Sequence, residues 1–98
     1  MTIKILKLKT GEEIVADITV HGYEYTLVKP FVLQMAPSNN DQMQLALFPY
    51  APYTKDHTIR VQQENIIWIE ELPELMIKDY NTALANLADS LNKFIADV

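Results

Sequence analysis

Up to about residue 71 the apolar side chains recur at every second position; beyond Pro73 they recur at every third or fourth. That switch of period is the strongest constraint on what this chain can become, because alternation belongs to half-buried strands and the 3-4 spacing to one face of a helix. Ile14, Ala16, Ile18 and Val20 fall on one side, with Val15, Asp17 and Thr19 opposite. Tyr25, Leu27, Phe31, Leu33 and Met35 repeat the pattern, as do Met43, Leu45 and Leu47. Thr10-Gly11, His21-Gly22 and Pro37-Ser38-Asn39-Asn40-Asp41 separate these runs with turn chemistry. Gly11 and Gly22 are the only two glycines, and each sits where a tight reversal calls for positive φ.

The stretch LFPYAPYTKDHT departs from the pattern, since Pro49 and Pro52 cannot donate ladder hydrogen bonds. It is expected at a bulge, a sheet edge or a loop. Strand character returns at Thr58–Gln62, and a polar turn, Gln63-Glu64-Asn65, leads into Ile66–Glu71. Both faces of Ile66-Ile67-Trp68-Ile69 are apolar, so this strand is expected to be covered on both sides. From Glu74 onward Tyr80, Leu84, Leu87, Leu91, Phe94 and Val98 form a single stripe, uninterrupted by proline or glycine. The helix is expected to pack this stripe on its own sheet or on a neighbouring subunit.

With 98 residues the chain has room for one core. Five hairpin-connected strands with no long crossover predict a small, strongly bent antiparallel barrel over residues 1–72, and an amphipathic helix over 73–98. The absence of cysteine excludes disulfides, thiolate metal sites and cysteine nucleophiles. No apolar run is long enough for a signal peptide or a membrane span, so a cytoplasmic address and no membrane partner are expected. The net charge of −5 lies entirely in residues 64–98; residues 1–63 balance to zero. A local patch in the first part could approach a polyanion, while the acidic last third would repel one.

Catalysis is not expected. His21 and His57 lack the helical Glu motif of a metal site, and neither Ser38 nor Ser90 has a nucleophile-elbow context. Glu12-Glu13 and Glu70-Glu71 are neighbours on strands, so the members of each pair face opposite ways. No cofactor and no metal is implied.

Four segments in order, TGEEIVADI, PFVLQMAP, LALFPYAPYTKD and ENIIWIEELPE, resemble the Sm-like family, and most of all the short Sm-like proteins of bacteriophages that infect marine cyanobacteria. The resemblance spans roughly residues 3–80. It implies a phage-encoded protein working in the host cytoplasm, a bent five-stranded barrel, and a homo-oligomeric ring. Subunits of such rings pair through their fourth and fifth strands, and about five to seven copies are implied, a pentamer or hexamer foremost. The apolar strand of Ile66, Ile67, Trp68 and Ile69 would supply interface area. The helix lies at the C-terminal end here, whereas in the family it precedes the barrel, so the role of the family's leading helix does not transfer.

The family's RNA slot lies between the loop that enters the third strand and the loop between the fourth and fifth. In this chain Thr26 and Pro30 stand where the family offers Asp and Asn, unless the first loop is placed at residues 21–25. Arg60 keeps its basic position, but Gln62-Gln63 replaces the usual glycine. The RNA-binding set implied is Lys29, Arg60, Gln62, Gln63 and Asn65, with Tyr25, His21 or Phe31 to stack on a base. A ring that serves only as a protein-assembly module is the alternative. Lys4, Lys7 and Lys9 form a second basic surface, better explained as protection of a sheet edge. In FPYAPY, the side chains of Phe48, Tyr50 and Tyr53 either cap one end of the barrel or meet a partner.

Overall fold

The computed structural model describes residues 2–40 and 42–96, with helix side chains described through Leu87. Leu91, Phe94 and Val98, the far end of the predicted stripe, lie outside the described side chains. The chain forms β1 (Ile3–Leu8), β2 (Glu13–His21), β3 (Glu24–Pro37), β4 (Met43–Pro49), β5 (Thr58–Gln62), β6 (Ile66–Glu71) and α1 (Glu74–Ala96). There are six strands where a five-stranded barrel was expected: the runs at Met43–Leu47 and Thr58–Gln62 form separate strands, β4 and β5, on either side of the proline-containing stretch and Lys55–His57. All pairings are antiparallel, in the order β4-β3-β2-β1-β6, with β5 also on β3. No ladder joins the two ends of this order among the described residues, so the sheet is not closed by hydrogen bonds.

The division of β3 has a local cause. Val15 pairs with Phe31 and Asp17 with Val28, so Ala16 alone faces Lys29 and Pro30. Two residues against one is a bulge, which bends the longer strand and tightens its twist. Lys29 takes φ 51° there, and Pro30 brings no N–H to the ladder. On its other edge β3 pairs with β5 from Glu24 to Val28 and with β4 from Phe31 to Pro37. The bulge therefore marks the handover from one partner to the next. Its freed carbonyls are satisfied from elsewhere: Tyr50 N–H donates to Pro30 O at 2.9 Å, and the Tyr80 hydroxyl donates to Lys29 O at 2.9 Å.

Alternation sorts the apolar side chains onto two faces. Leu6, Leu8, Ile14, Ala16, Ile18, Leu27 and Val32 form an inner cluster, sealed by Tyr25, Tyr50, Ile59, Val61, Ile66 and Ile69 from the same sheet. Val15, Phe31 and Leu72 form an outer cluster with Tyr80 and Leu87 of α1. The predicted stripe thus packs on its own sheet at Tyr80, Leu84 and Leu87. The rings of Tyr80 and Phe31 meet edge to face, with centroids 5.6 Å apart. Burial, with the Asp17 carboxylate adding to it, pushes the Tyr80 phenol up to about 12.

Candidate functional site: a slot between two turns

The β2–β3 connection has only two residues, Gly22 and Tyr23, between the paired His21 and Glu24. Gly22 has φ 63° and Tyr23 is not in the left-handed region, the pattern of a type II′ hairpin turn. Such a turn leaves its second residue projecting, and Tyr23 is 79% exposed. Forty residues later, a 3-10 turn, Gln63–Asn65, joins β5 to β6. The two turns meet: Gln63 N–H donates to Tyr23 O at 2.8 Å. Between them lies a slot of about 470 Å³ lined by Tyr23, Gln62, Gln63, Glu64 and Ile66.

The same 3-10 turn is held from its other side. Lys9 N–H donates to Asn65 O at 2.8 Å, so the end of β1 abuts the turn. A second groove of about 320 Å³ opens there, with Lys9, Thr10, Arg60 and Asn65 on its walls and Gln62 shared with the slot. Gly11, at φ 107°, lets the chain reverse just beyond Thr10, with its N–H donating to Leu8 O at 2.9 Å.

The electrostatics are mixed. Arg60 Nε lies 3.5 Å from Glu24 Oε1, and Gln62 Nε2 donates to the other oxygen of that carboxylate at 3.5 Å. Arg60 is therefore already partnered, and Glu64 places a carboxylate on the slot wall itself. Among the described residues, no ion pair engages Lys9.

Of the expected RNA-binding set, Gln62 and Gln63 line the slot, and Asn65 and Arg60 line the adjoining groove. Lys29 is not with them; it sits at the β3 bulge, beyond the Val28–Thr58 pair at the opposite end of β5 from the slot. Tyr25 packs against the inner cluster and Phe31 is buried in the outer one, so neither ring offers a stacking face in the slot. Thr26 and Pro30 lie within β3, so the connection that enters β3 is the one at Gly22-Tyr23. Its exposed aromatic, Tyr23, was not singled out by sequence reasoning. The signal that could have found it is a large aromatic directly after a turn glycine.

The two-sided apolar strand divides as well. Ile66 and Ile69 pack against the inner cluster, Trp68 is half-buried opposite Lys7, and Ile67 is exposed. In the aromatic segment, Tyr50 is half-buried against the inner cluster and donates to Glu12 Oε2 at 3.1 Å, whereas Tyr53 stands free. The Glu12 carboxyl is held below its usual range, by the Thr10 side chain first and by Tyr50 in addition. No cluster of three metal-ligating side chains occurs among the described residues, and no described helix is long and apolar enough to cross a membrane. No protein-family model matches the chain, and no curated protein matches it significantly in sequence.

Proposed function

We propose that this chain is a non-catalytic, homo-oligomeric ring protein of Sm-like architecture, phage-encoded in type, that binds single-stranded RNA. The observation that carries the reading is the meeting of the β2–β3 and β5–β6 turns in one slot, with an exposed ring on one wall and two amides on the other. An exposed tyrosine offers a face for base stacking, and glutamine amides offer both donor and acceptor to a base edge.

Strong bending of the sheet has separate support. In a flat sheet Gln62 and Ile66 would lie four strand spacings apart, about 19 Å at ~4.8 Å each. They would also be offset along the strands, since Gln62 pairs with Glu24 near the His21 end of β2 and Ile66 with Leu8 near its Glu13 end. The chain between them can span at most about 14 Å over four Cα steps. Only a tightly curled sheet accommodates that link, which favours a barrel with an open seam.

Ring formation is favoured by what the seam leaves over. The β4 and β6 edges, at opposite ends of the strand order, each have unpaired backbone groups. Exposed apolar side chains accompany both, with Met43, Leu45 and neighbouring Met35 on one side and Ile67 on the other. Head-to-tail pairing of β6 with the β4 edge of the next copy satisfies both edges and closes when the rotation per subunit permits. Weak binding at each slot then sums around the ring.

A second reading, a ring that assembles with protein and takes no nucleic acid, is favoured by the two carboxylates, Glu24 and Glu64, at the slot. Fluorescence anisotropy with short uridine-rich and adenine-rich RNAs separates the two. Binding at low salt that weakens on Tyr23→Ala, together with a native mass of several subunits that persists on dilution, supports the RNA ring. An absence of binding even at low salt moves the choice to the protein-assembly reading, and a monomeric mass removes the ring itself.

A further inference from the structure

The slot with Tyr23 has no cation on its walls, whereas the adjoining groove has two. They come from distant parts of the chain. Arg60 belongs to β5, and Lys9 follows the end of β1, drawn beside the 3-10 turn by its backbone bond to Asn65. Both cavities share Gln62, so a strand of nucleic acid seated in one runs directly into the other. The division of chemistry is what a nucleotide needs: a flat, amide-edged surface for the base, and separately placed cations for the phosphate.

We propose that the groove bounded by Lys9 and Arg60 is a phosphodiester-binding subsite, taking the backbone of the nucleotide next to the one stacked on Tyr23. This rests on the reading of the slot as base-binding. Lys9 is the principal contact, because of the groove's two cations it is the exposed one that no carboxylate engages among the described residues. Arg60 contributes second, because Glu24 at 3.5 Å competes with any phosphate for its guanidinium. Glu24 therefore sets how tightly the groove can hold an anion.

The proposal also reassigns Lys9 among the three lysines of the first strand and turn. Lys4 Nζ lies 3.6 Å from its ladder partner Glu71 of β6, and Lys7 shares the outer face with Trp68. β1 lies between β2 and β6 and is paired on both sides, so the expected edge protection does not account for Lys4 and Lys7, and of the three only Lys9 lines the groove beside the 3-10 turn.

The test is a set of anisotropy titrations of the full chain with labelled oligouridylate and oligoadenylate at several salt concentrations between about 50 and 200 mM. Each phosphate contact on a single strand contributes about 0.7 to the slope of log affinity against log salt. Lys9→Ala is expected to lower that slope by about 0.7 for each engaged subunit and to weaken both RNAs alike. Glu24→Gln is expected to act oppositely, steepening the slope and tightening binding severalfold as Arg60 is released. Tyr23→Ala should weaken binding with the slope unchanged.

The Ala substitution keeps the backbone N–H that bonds Asn65, and an unchanged far-UV CD melting curve verifies that the fold is retained. If wild type binds and Lys9→Ala superimposes on it in affinity and slope, the subsite is overturned while the base slot stands. If wild type binds neither RNA at the lowest salt, the base slot and the subsite fall together.

Discussion

On the inner face, Leu6, Ile14, Ala16 and Leu27 are fully buried by other residues of the sheet, whereas on the outer face Val15 and Phe31 are covered by a helix from the far end of the chain. Both faces are lined by aliphatic side chains on alternate positions of the same strands. They differ in what excludes water. The inner face is covered by residues of β1, β2, β3, β5 and β6 together with Tyr50, so it depends on strands distant from one another in the chain. The outer face depends on one docked element, and it includes a polar anchor, the Tyr80 hydroxyl, which donates to Lys29 O at the bulge. The comparison teaches that curvature and docking are separable sources of burial. The bulge connects them: it bends β3, whose alternate residues line the inner face, and it offers the Lys29 carbonyl to the helix on the outer side.

Damage to the inner face should be the most costly. Leu27→Ala removes a fully buried side chain at the centre of that cluster and is expected to cost about 2–5 kcal/mol. In urea titrations the fluorescence of Trp68 and the far-UV CD should lose their native signal together. Loss of the helical signal alone, with the sheet intact, would contradict the placing of Leu27 in a cluster that holds the strands together.

Tyr80→Phe tests the outer face, since it keeps the edge-to-face contact with Phe31 and removes the hydroxyl. The Lys29 carbonyl then loses that donor, at a cost of about 1–3 kcal/mol. The pH dependence carries a distinct signature. The Tyr80 phenol ionises near pH 10 in the unfolded chain and only at about 12 in the folded one. Its contribution is complete below pH 10 and is lost as pH rises through the folded value. Wild type should therefore lose stability more steeply than Tyr80→Phe between roughly pH 10 and 12. Superimposable profiles would show that the phenol is not held in its neutral form.

Gly22→Ala addresses the slot without touching either cluster. A Cβ at Gly22 meets nothing within 4 Å, so the cost is conformational and comes from φ 63° alone, about 1–2 kcal/mol. Thermal melts should shift modestly, while RNA binding falls further than stability does because Tyr23 is displaced. Lys4→Ala, which breaks an ion pair across the β1–β6 ladder whose Glu71 end is exposed, should change stability by no more than about 0.5 kcal/mol. A larger loss there would mean that the β6 edge is less solvated than its exposure indicates.

Much of this was legible in the residue pattern, and the places where it was not share a cause. The alternation of Ile14, Ala16 and Ile18 against Val15 marked both faces, and the Tyr80-Leu84-Leu87 spacing marked the helix and its buried side. Those signals are local. Lys29 read as a free cation near a binding loop because its left-handed conformation and the bulge around it arise from pairing with residues far along the chain. Tyr25 and Phe31 read as stackers for the same reason, since an aromatic in a strand does not reveal which face the curvature will bury. The exposure of Tyr23 had a local signal in the preceding Gly22, but its place in a slot did not, because its partner there, Gln63, lies forty residues away.

The sequence alone determined which segments are strands, where the turns fall and which residues of the helix are apolar. These follow from side-chain period, glycine and proline, which act over a few residues. Only the tertiary structure decided that β4 and β5 share β3 as their partner, that the bulge at Lys29-Pro30 divides them along it, and that the turns at Gly22-Tyr23 and Gln63–Asn65 come together. Those outcomes depend on how pairing register and bulge-induced twist accumulate across the strands, a sum over long-range contacts that no short window of residues contains.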